Sequence, residues 1–133
     1  MPLAPRRSVG RASVRYRPAV SPQSIELRHR WGQHPLWDVR AAADVDPATL
    51  PIPPSLVGRL NGWAARWDST FDLSQPDRSR VERFVIDELG HEGARLWRAL
   101  LGLLPPSRYL ITYCHEDEVF VTPEDLPIEW RFG

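Results

Sequence analysis

The chain has 133 residues, 42% hydrophobic and 26% charged, with 17 basic residues against 17 acidic ones and a formal net charge of zero. That is enough chain to bury one core without disulfides or a structural metal, and the balanced charge exerts no global pull toward nucleic acid or membrane. One cysteine, Cys114, excludes an internal disulfide and fits a reducing compartment.

Residues 1–23 carry Arg6, Arg7, Arg11, Arg15 and Arg17 without an acid, and Pro2, Pro5, Pro18 and Pro22 break any periodicity. This is the composition of a disordered arginine- and proline-rich tail. No apolar region follows the arginines, so a signal peptide is not expected. No run approaches the roughly 18–20 apolar residues of a membrane span. A cytoplasmic protein is therefore expected, with one globular domain over residues 24–133. Every basic residue is arginine, and Ala, Pro and Gly abound, the mark of a GC-rich bacterial genome.

From Ser24 the pattern alternates: Ile25, Leu27 and His29 on one side, Glu26, Arg28 and Arg30 on the other, predicting a half-buried strand up to Trp31. Gly32 and Pro35 then make a loop carrying Leu36 and Trp37, with Trp37 expected to plug the end of the core. The stretch from Ala41 to Pro54 reads as irregular, because Pro47, Pro51, Pro53 and Pro54 forbid long helices and central strands.

A first helix is predicted from Pro54 or Ser55 to Phe71, since Leu56, Leu60, Trp63, Trp67 and Phe71 form one apolar stripe. Gly58 and Gly62, four residues apart, mark a face where another segment could approach closely. A second helix is predicted from Asp77 or Ser79 to Leu104, with Val81, Phe84, Val85, Leu89, Leu96, Trp97, Leu100 and Leu104 inward. Gly90 and Gly93 leave it either kinked or split near residue 90. Pro105 and Pro106 end it. Residues 108–114 form a strand with Tyr109, Ile111 and Tyr113 on one face and Leu110, Thr112 and Cys114 on the other. Residues 118–122 form a second strand and residues 128–132 a short third. The expected fold is α+β, a two-layer sandwich with an antiparallel helix pair on a small antiparallel sheet.

The chemistry-bearing candidates are few. The chain has no nucleophile elbow, no phosphate-binding glycine loop and no Cys-x-x-Cys pair. In "HEGAR" the position of a second zinc-binding histidine holds Arg95, and His91 is expected on the solvent face. "YCHEDEVF" gathers Cys114, His115, Glu116, Asp117 and Glu118. Consecutive strand residues point to opposite faces, so these five do not converge on a metal. The stretch reads as an acidic hairpin with His115, Glu116 and Asp117 in its loop. No catalytic residue, metal or cofactor is assigned.

"LPIPPSLVGRLNGWAARWDSTFD", "HEGARLWRALLGLL" and "RYLITY" together resemble a pattern in small actinobacterial proteins. There, Leu-Pro-Ile and a proline lead into a Leu-x-x-x-Leu-x-x-Trp helix, followed by Glu-Gly-x-x-Leu in the next. The matching positions are Leu50, Pro51, Ile52, Pro54, Leu56, Leu60, Trp63, Glu92, Gly93 and Leu96. The resemblance implies architecture only, and some small proteins of this build accompany toxins or secretion systems.

The expected function is a non-enzymatic, immunity-like or adaptor protein that binds a basic protein partner. Trp31 and His34 in the aromatic loop and Glu116, Asp117 and Glu118 in the hairpin are the expected contacts. The alternatives are nucleic-acid binding through residues 1–23 and a small metal enzyme using Cys114, His115 and nearby acids.

Overall fold

A computed structural model of the protein describes residues 21–70 and 82–132. Five strands form one sheet in the order β3-β2-β1-β4-β5: β1 (Gln23–Leu27), β2 (Leu36–Asp38), β3 (Ala43–Val45), β4 (Tyr109–His115) and β5 (Glu118–Phe120). Two helices, α1 (Pro54–Asp68) and α2 (Arg83–Leu103), form the second layer, with short 3-10 turns at Pro47–Thr49, Pro123–Asp125 and Ile128–Trp130. The α+β class is that expected. The tail assigned to residues 1–23 lies outside the described residues except at its end, where Gln23 already belongs to β1.

The sheet is mixed, not wholly antiparallel. β1 pairs with β4 in parallel, Ile25 opposite Ile111 and Leu27 opposite Tyr113, while the other three pairings are antiparallel. Parallel pairing needs a long crossover, and the chain between β1 and β4 supplies one by running through β2, β3 and both helices. β2 and β3 occupy the stretch read as loop. Each is three residues long, too short for alternation to show, and both are held by pairing out from β1. The third strand expected near the C-terminus is instead the 3-10 turn Ile128–Trp130, which follows Pro127 and buries Trp130.

The helices run antiparallel. Arg59 pairs with Glu92 and Arg66 with Glu88, while Trp63 Nε1 donates to the Leu89 carbonyl at 2.8 Å. Pro54 opens α1 at a position where a missing N–H costs nothing. The α1 stripe buries Leu56, Leu60 and Trp63, and α2 buries Leu89, Leu96, Trp97 and Leu100. These meet Ile25, Leu27, Ile111 and Tyr113 on the inner face of the sheet in one core cluster.

Three side chains lie elsewhere than expected from sequence. Phe84 is exposed, because it lies well round the helix from Leu89. His91 is half-buried, not solvated, with Trp130 stacked on its ring at 6.4 Å. Trp37 lies opposite Glu26 on the outer side of the sheet, under the Arg30 guanidinium at 4.0 Å, and does not plug the core.

α2 is continuous through both glycines. Gly90 faces His115 and Trp130, and Gly93 faces Tyr113 and Trp63, each so closely that a Cβ would overlap its neighbour. The close approach sits here and not at Gly58 and Gly62, where nothing lies within 4 Å. Tyr113 fills the gap the glycines leave, its hydroxyl donating to the Gly90 carbonyl at 2.8 Å. Trp97 Nε1 donates to the Ile111 carbonyl at 2.9 Å, so both buried aromatics tie α2 to β4 through satisfied polar atoms.

Candidate functional site

At one end of the sandwich the inward faces of β1 and β4 each lead on to a histidine, one just beyond β1 and the other the last residue of β4. Leu27 is followed two positions on by His29, and Tyr113 by His115. Because β1 and β4 are parallel and in register, both histidines reach the same end of the sheet. There they meet the last turn of α1, where Trp63 and Trp67 stand four residues apart. Together with Arg28, Trp31, Cys114, Glu116 and Asp117, these residues line a cleft of about 250 Å³.

Aromatic rings form its walls. His29 stacks on Trp67 at 5.4 Å and takes the edge of Trp31 at 4.4 Å, while its Nε2 lies 2.7 Å from Asp68 Oδ1. Trp67 stands edge-on to Trp63 at 6.4 Å and tilts against His115 at 6.0 Å. Trp31 is 55% exposed and forms the outermost wall.

The rim is the β4–β5 turn. His115 pairs with Glu118, so the loop holds only Glu116 and Asp117, at φ 50° and 69°. His115 is thus not in the loop, as had been expected, but buried at the end of β4. A two-residue turn with two positive φ values normally takes Asn-Gly, because a side chain in the left-handed region costs about 1–2 kcal/mol. Here it holds two carboxylates. The Asp117→Gly variant is expected to gain about 0.5–1 kcal/mol in stability, the relief of strain exceeding the added chain entropy; chemical denaturation measures it.

Arg83 reaches from the start of α2 to grip Glu116 and Asp87. On the other side Arg28 donates to Cys114 Sγ at 2.8 Å and pairs with Glu26 at 3.0 Å. Cys114 turns away from the Tyr113 face, as alternation requires, and is covered by Arg28. Burial pushes its thiol up, and Arg28 only partly offsets that, so the group at neutral pH is the thiol and not a nucleophilic thiolate.

His115 is 8% exposed. Its Nε2 lies 3.4 Å from Glu116 Oε1 but makes no hydrogen bond among the described residues, and the ring packs edge-on against Trp130 at 5.2 Å. Burial holds its pKa below the ordinary value; Glu116 opposes this shift and Arg83 adds to it. The unfolded chain therefore binds a proton that the folded one resists. Stability contributed by neutral His115 is full above about pH 6.5 and is lost as pH falls through the lower folded value. Unfolding followed from pH 7.5 to 5 is expected to show a steeper loss in the native protein than in His115→Gln; parallel curves would remove His115 as the cause.

Of the residues expected to contact a partner, the fold brings Trp31, Glu116 and Asp117 together at this cleft. His34 is elsewhere, its Nδ1 on Asp44 and its Nε2 3.8 Å from Asp46 in a neighbouring depression. Glu118 is exposed on the edge strand β5, outside the cleft lining. Arg28, His29, Trp63 and Trp67 were not expected as partner contacts from sequence, and His115 entered only in the metal-enzyme alternative. The readable signal for them was a polar residue next in line on each inward strand face, and a stripe of leucines giving way to two tryptophans.

No helix among the described residues is long and apolar enough to cross a membrane. A family model described as Serratia CdiI immunity protein-like matches residues 23–116, from the first residue of β1 to the first residue of the hairpin turn. That range holds every cleft residue named above except Asp117. No curated protein matches the chain.

Proposed function

The chain belongs to the Serratia CdiI immunity protein-like family, and from that membership we propose that it neutralises a toxin by binding it, without catalysis of its own. The observation that carries this reading is the aromatic cleft inside the matched region, open beside a half-exposed tryptophan. Half-exposed tryptophans over a concave surface are the usual anchors of protein interfaces. Trp67 Nε1 is buried with no hydrogen-bond partner among the described residues, a donor that a carbonyl of the partner would satisfy.

The toxin is basic where it docks. Around Arg28 and His115 stand the carboxylates of Glu26, Asp87, Glu116, Asp117 and Glu118, with Asp68 on His29 beside them, and the guanidinium groups of Arg28 and Arg83. Such a surplus speeds encounter with a positive surface and disfavours negative ones. The hairpin thus steers and the cleft holds.

Co-expression with any toxin domain found among the neighbouring genes tests the reading. The chain is expected to restore growth and to elute with the toxin as a stoichiometric complex. Substituting Glu116, Asp117 and Glu118 together by alanine is expected to slow association and to weaken its dependence on salt. Absence of both protection and complex would overturn the proposal.

A further inference from the structure

We propose that the outer face of the sheet is where two copies of this chain meet, turned end for end about a two-fold axis that crosses the strands. This surface lies apart from the cleft, and the proposal does not depend on the toxin reading.

Both helices pack on the inner face of the sheet, and among the described residues no helix covers the outer one. Strand register sets out its rows. Val39 donates its backbone N–H to the Ser24 carbonyl at 2.9 Å, and Ser24 stands opposite Leu110. In the next row Glu26 stands between Trp37 and Thr112. Val39, Leu110 and Val121, each half exposed or more, line one groove of about 460 Å³ with Ser24, Glu26 and Thr112. Large apolar side chains gathered on one face, rather than scattered singly, mark a contact surface.

Charge selects the occupant. Across the middle of the face the ions are matched within the chain, Glu26 with Arg28 at 3.0 Å and Arg30 with Asp44 at 2.7 Å. The two ends are not neutral. Where β1 and β4 begin stand Arg108, just before β4, and Arg40, just after Val39, both exposed. At the other end of β4, seven residues or about 20 Å away, stand the exposed carboxylates of Glu116, Asp117 and Glu118. A uniformly basic surface would meet the arginine end unfavourably. A second copy laid end for end brings acid to that end and base to the other.

The same charges fix the symmetry axis. A two-fold axis along the strands would set each end on its like, whereas one across them sets Arg108 by Glu118 of the partner subunit, twice. Between those pairs, Val39, Leu110 and Val121 of both copies close the middle. Two sheets stacked in this way lie about 10 Å apart with their side chains interdigitated. Glu118 is outside the cleft lining, so the pairing does not draw on the cleft residues.

Sedimentation equilibrium of the full chain across the micromolar range tests the proposal. A reversible monomer–dimer equilibrium is expected. Leu110→Glu, a change at a half-exposed position with little effect on folding, is expected to weaken the dimer at least about tenfold while the circular dichroism stays native. Arg108→Glu and Glu118→Arg are each expected to weaken it about tenfold. Combined in one chain they are expected to regain most of that loss, because the exchange restores opposite charges across the axis. A monomer at every concentration, whether or not Leu110→Glu then impairs binding of another protein, overturns the proposal. So does a dimer indifferent to Leu110→Glu, or a combined variant no tighter than either single one.

Discussion

Replacing Gly93 by alanine is expected to destabilise the protein by about 3 kcal/mol, although alanine is the better helix former. The added Cβ would stand 2.2 Å from the Tyr113 hydroxyl, 2.7 Å from its Cζ and 2.8 Å from Trp63 Cζ2. Neither ring can retreat freely. Tyr113 is fully buried and its hydroxyl is fixed on the Gly90 carbonyl, while Trp63 is fixed on the Leu89 carbonyl. Overpacking between held groups forces backbone or rotamer strain, against which a helix-propensity gain of about 1 kcal/mol is small. Gly58→Ala and Gly62→Ala, with nothing within 4 Å, are expected to change sign and to stabilise by about 0.5–1 kcal/mol each. Urea denaturation of the three variants decides the matter. Tyr113→Phe in the Gly93→Ala background is expected to recover part of the loss, since it removes the atom nearest the new methyl. That coupling between contacting residues appears as non-additivity in a double-mutant cycle. A Gly93→Ala protein as stable as the native chain would mean that α2 and β4 are not held this close.

Trp31→Ala is expected to leave the fold nearly unchanged and to cost at least about 2 kcal/mol of toxin binding, some 30-fold in affinity. Trp31 is 55% exposed, and its ring approaches His29 edge-on. Its stability contribution is therefore that of a surface side chain, within about 0.5 kcal/mol. Binding would remove the rest of the ring from water, and an indole brings a large apolar face at little entropic cost. Trp63 supplies the opposite case. It is buried on the core side of the same cleft, so Trp63→Ala is expected to lower stability by about 3–5 kcal/mol before any effect on binding can be read. Calorimetry of the purified complex, paired with thermal unfolding of each free variant, separates the two. Native affinity in Trp31→Ala would exclude Trp31 as an anchor and move the interface away from the cleft mouth.

Much of the architecture follows from local pattern. The α1 and α2 stripes, the inward alternation of Ile25 and Leu27, and that of Ile111 and Tyr113 are each visible within a dozen residues, because one buried face imposes its period on the chain. The hairpin at Glu116 and Asp117 is visible in the same way, as is the outward turn of Cys114. Other features left no such trace. β2 and β3 are three residues long and exist through hydrogen bonds to β1, so nothing in their own residues separates them from loop. The expectation of an antiparallel sheet came from the hairpin at its end; direction between β1 and β4 depends on where the helix pair returns the chain.

The cleft divides along the same line. Trp31, Glu116 and Asp117 stood out as a bulky aromatic in a polar loop and as acids in a turn, which are properties of composition. His29 and His115 are 86 positions apart in the chain, and only parallel pairing in register brings them to one end of the sheet. Gly90 and Gly93 read as weak points of a helix, yet they are what lets β4 approach it. A glycine's effect depends on what faces its missing side chain, and that neighbour is distant in sequence. The sequence by itself determined the two helices, the inward strand faces and the acidic turn, since these depend on short-range periodicity. Tertiary structure alone decided the mixed sheet, the burial of His115 and the convergence on one cleft, since these depend on contacts between residues that no local period connects.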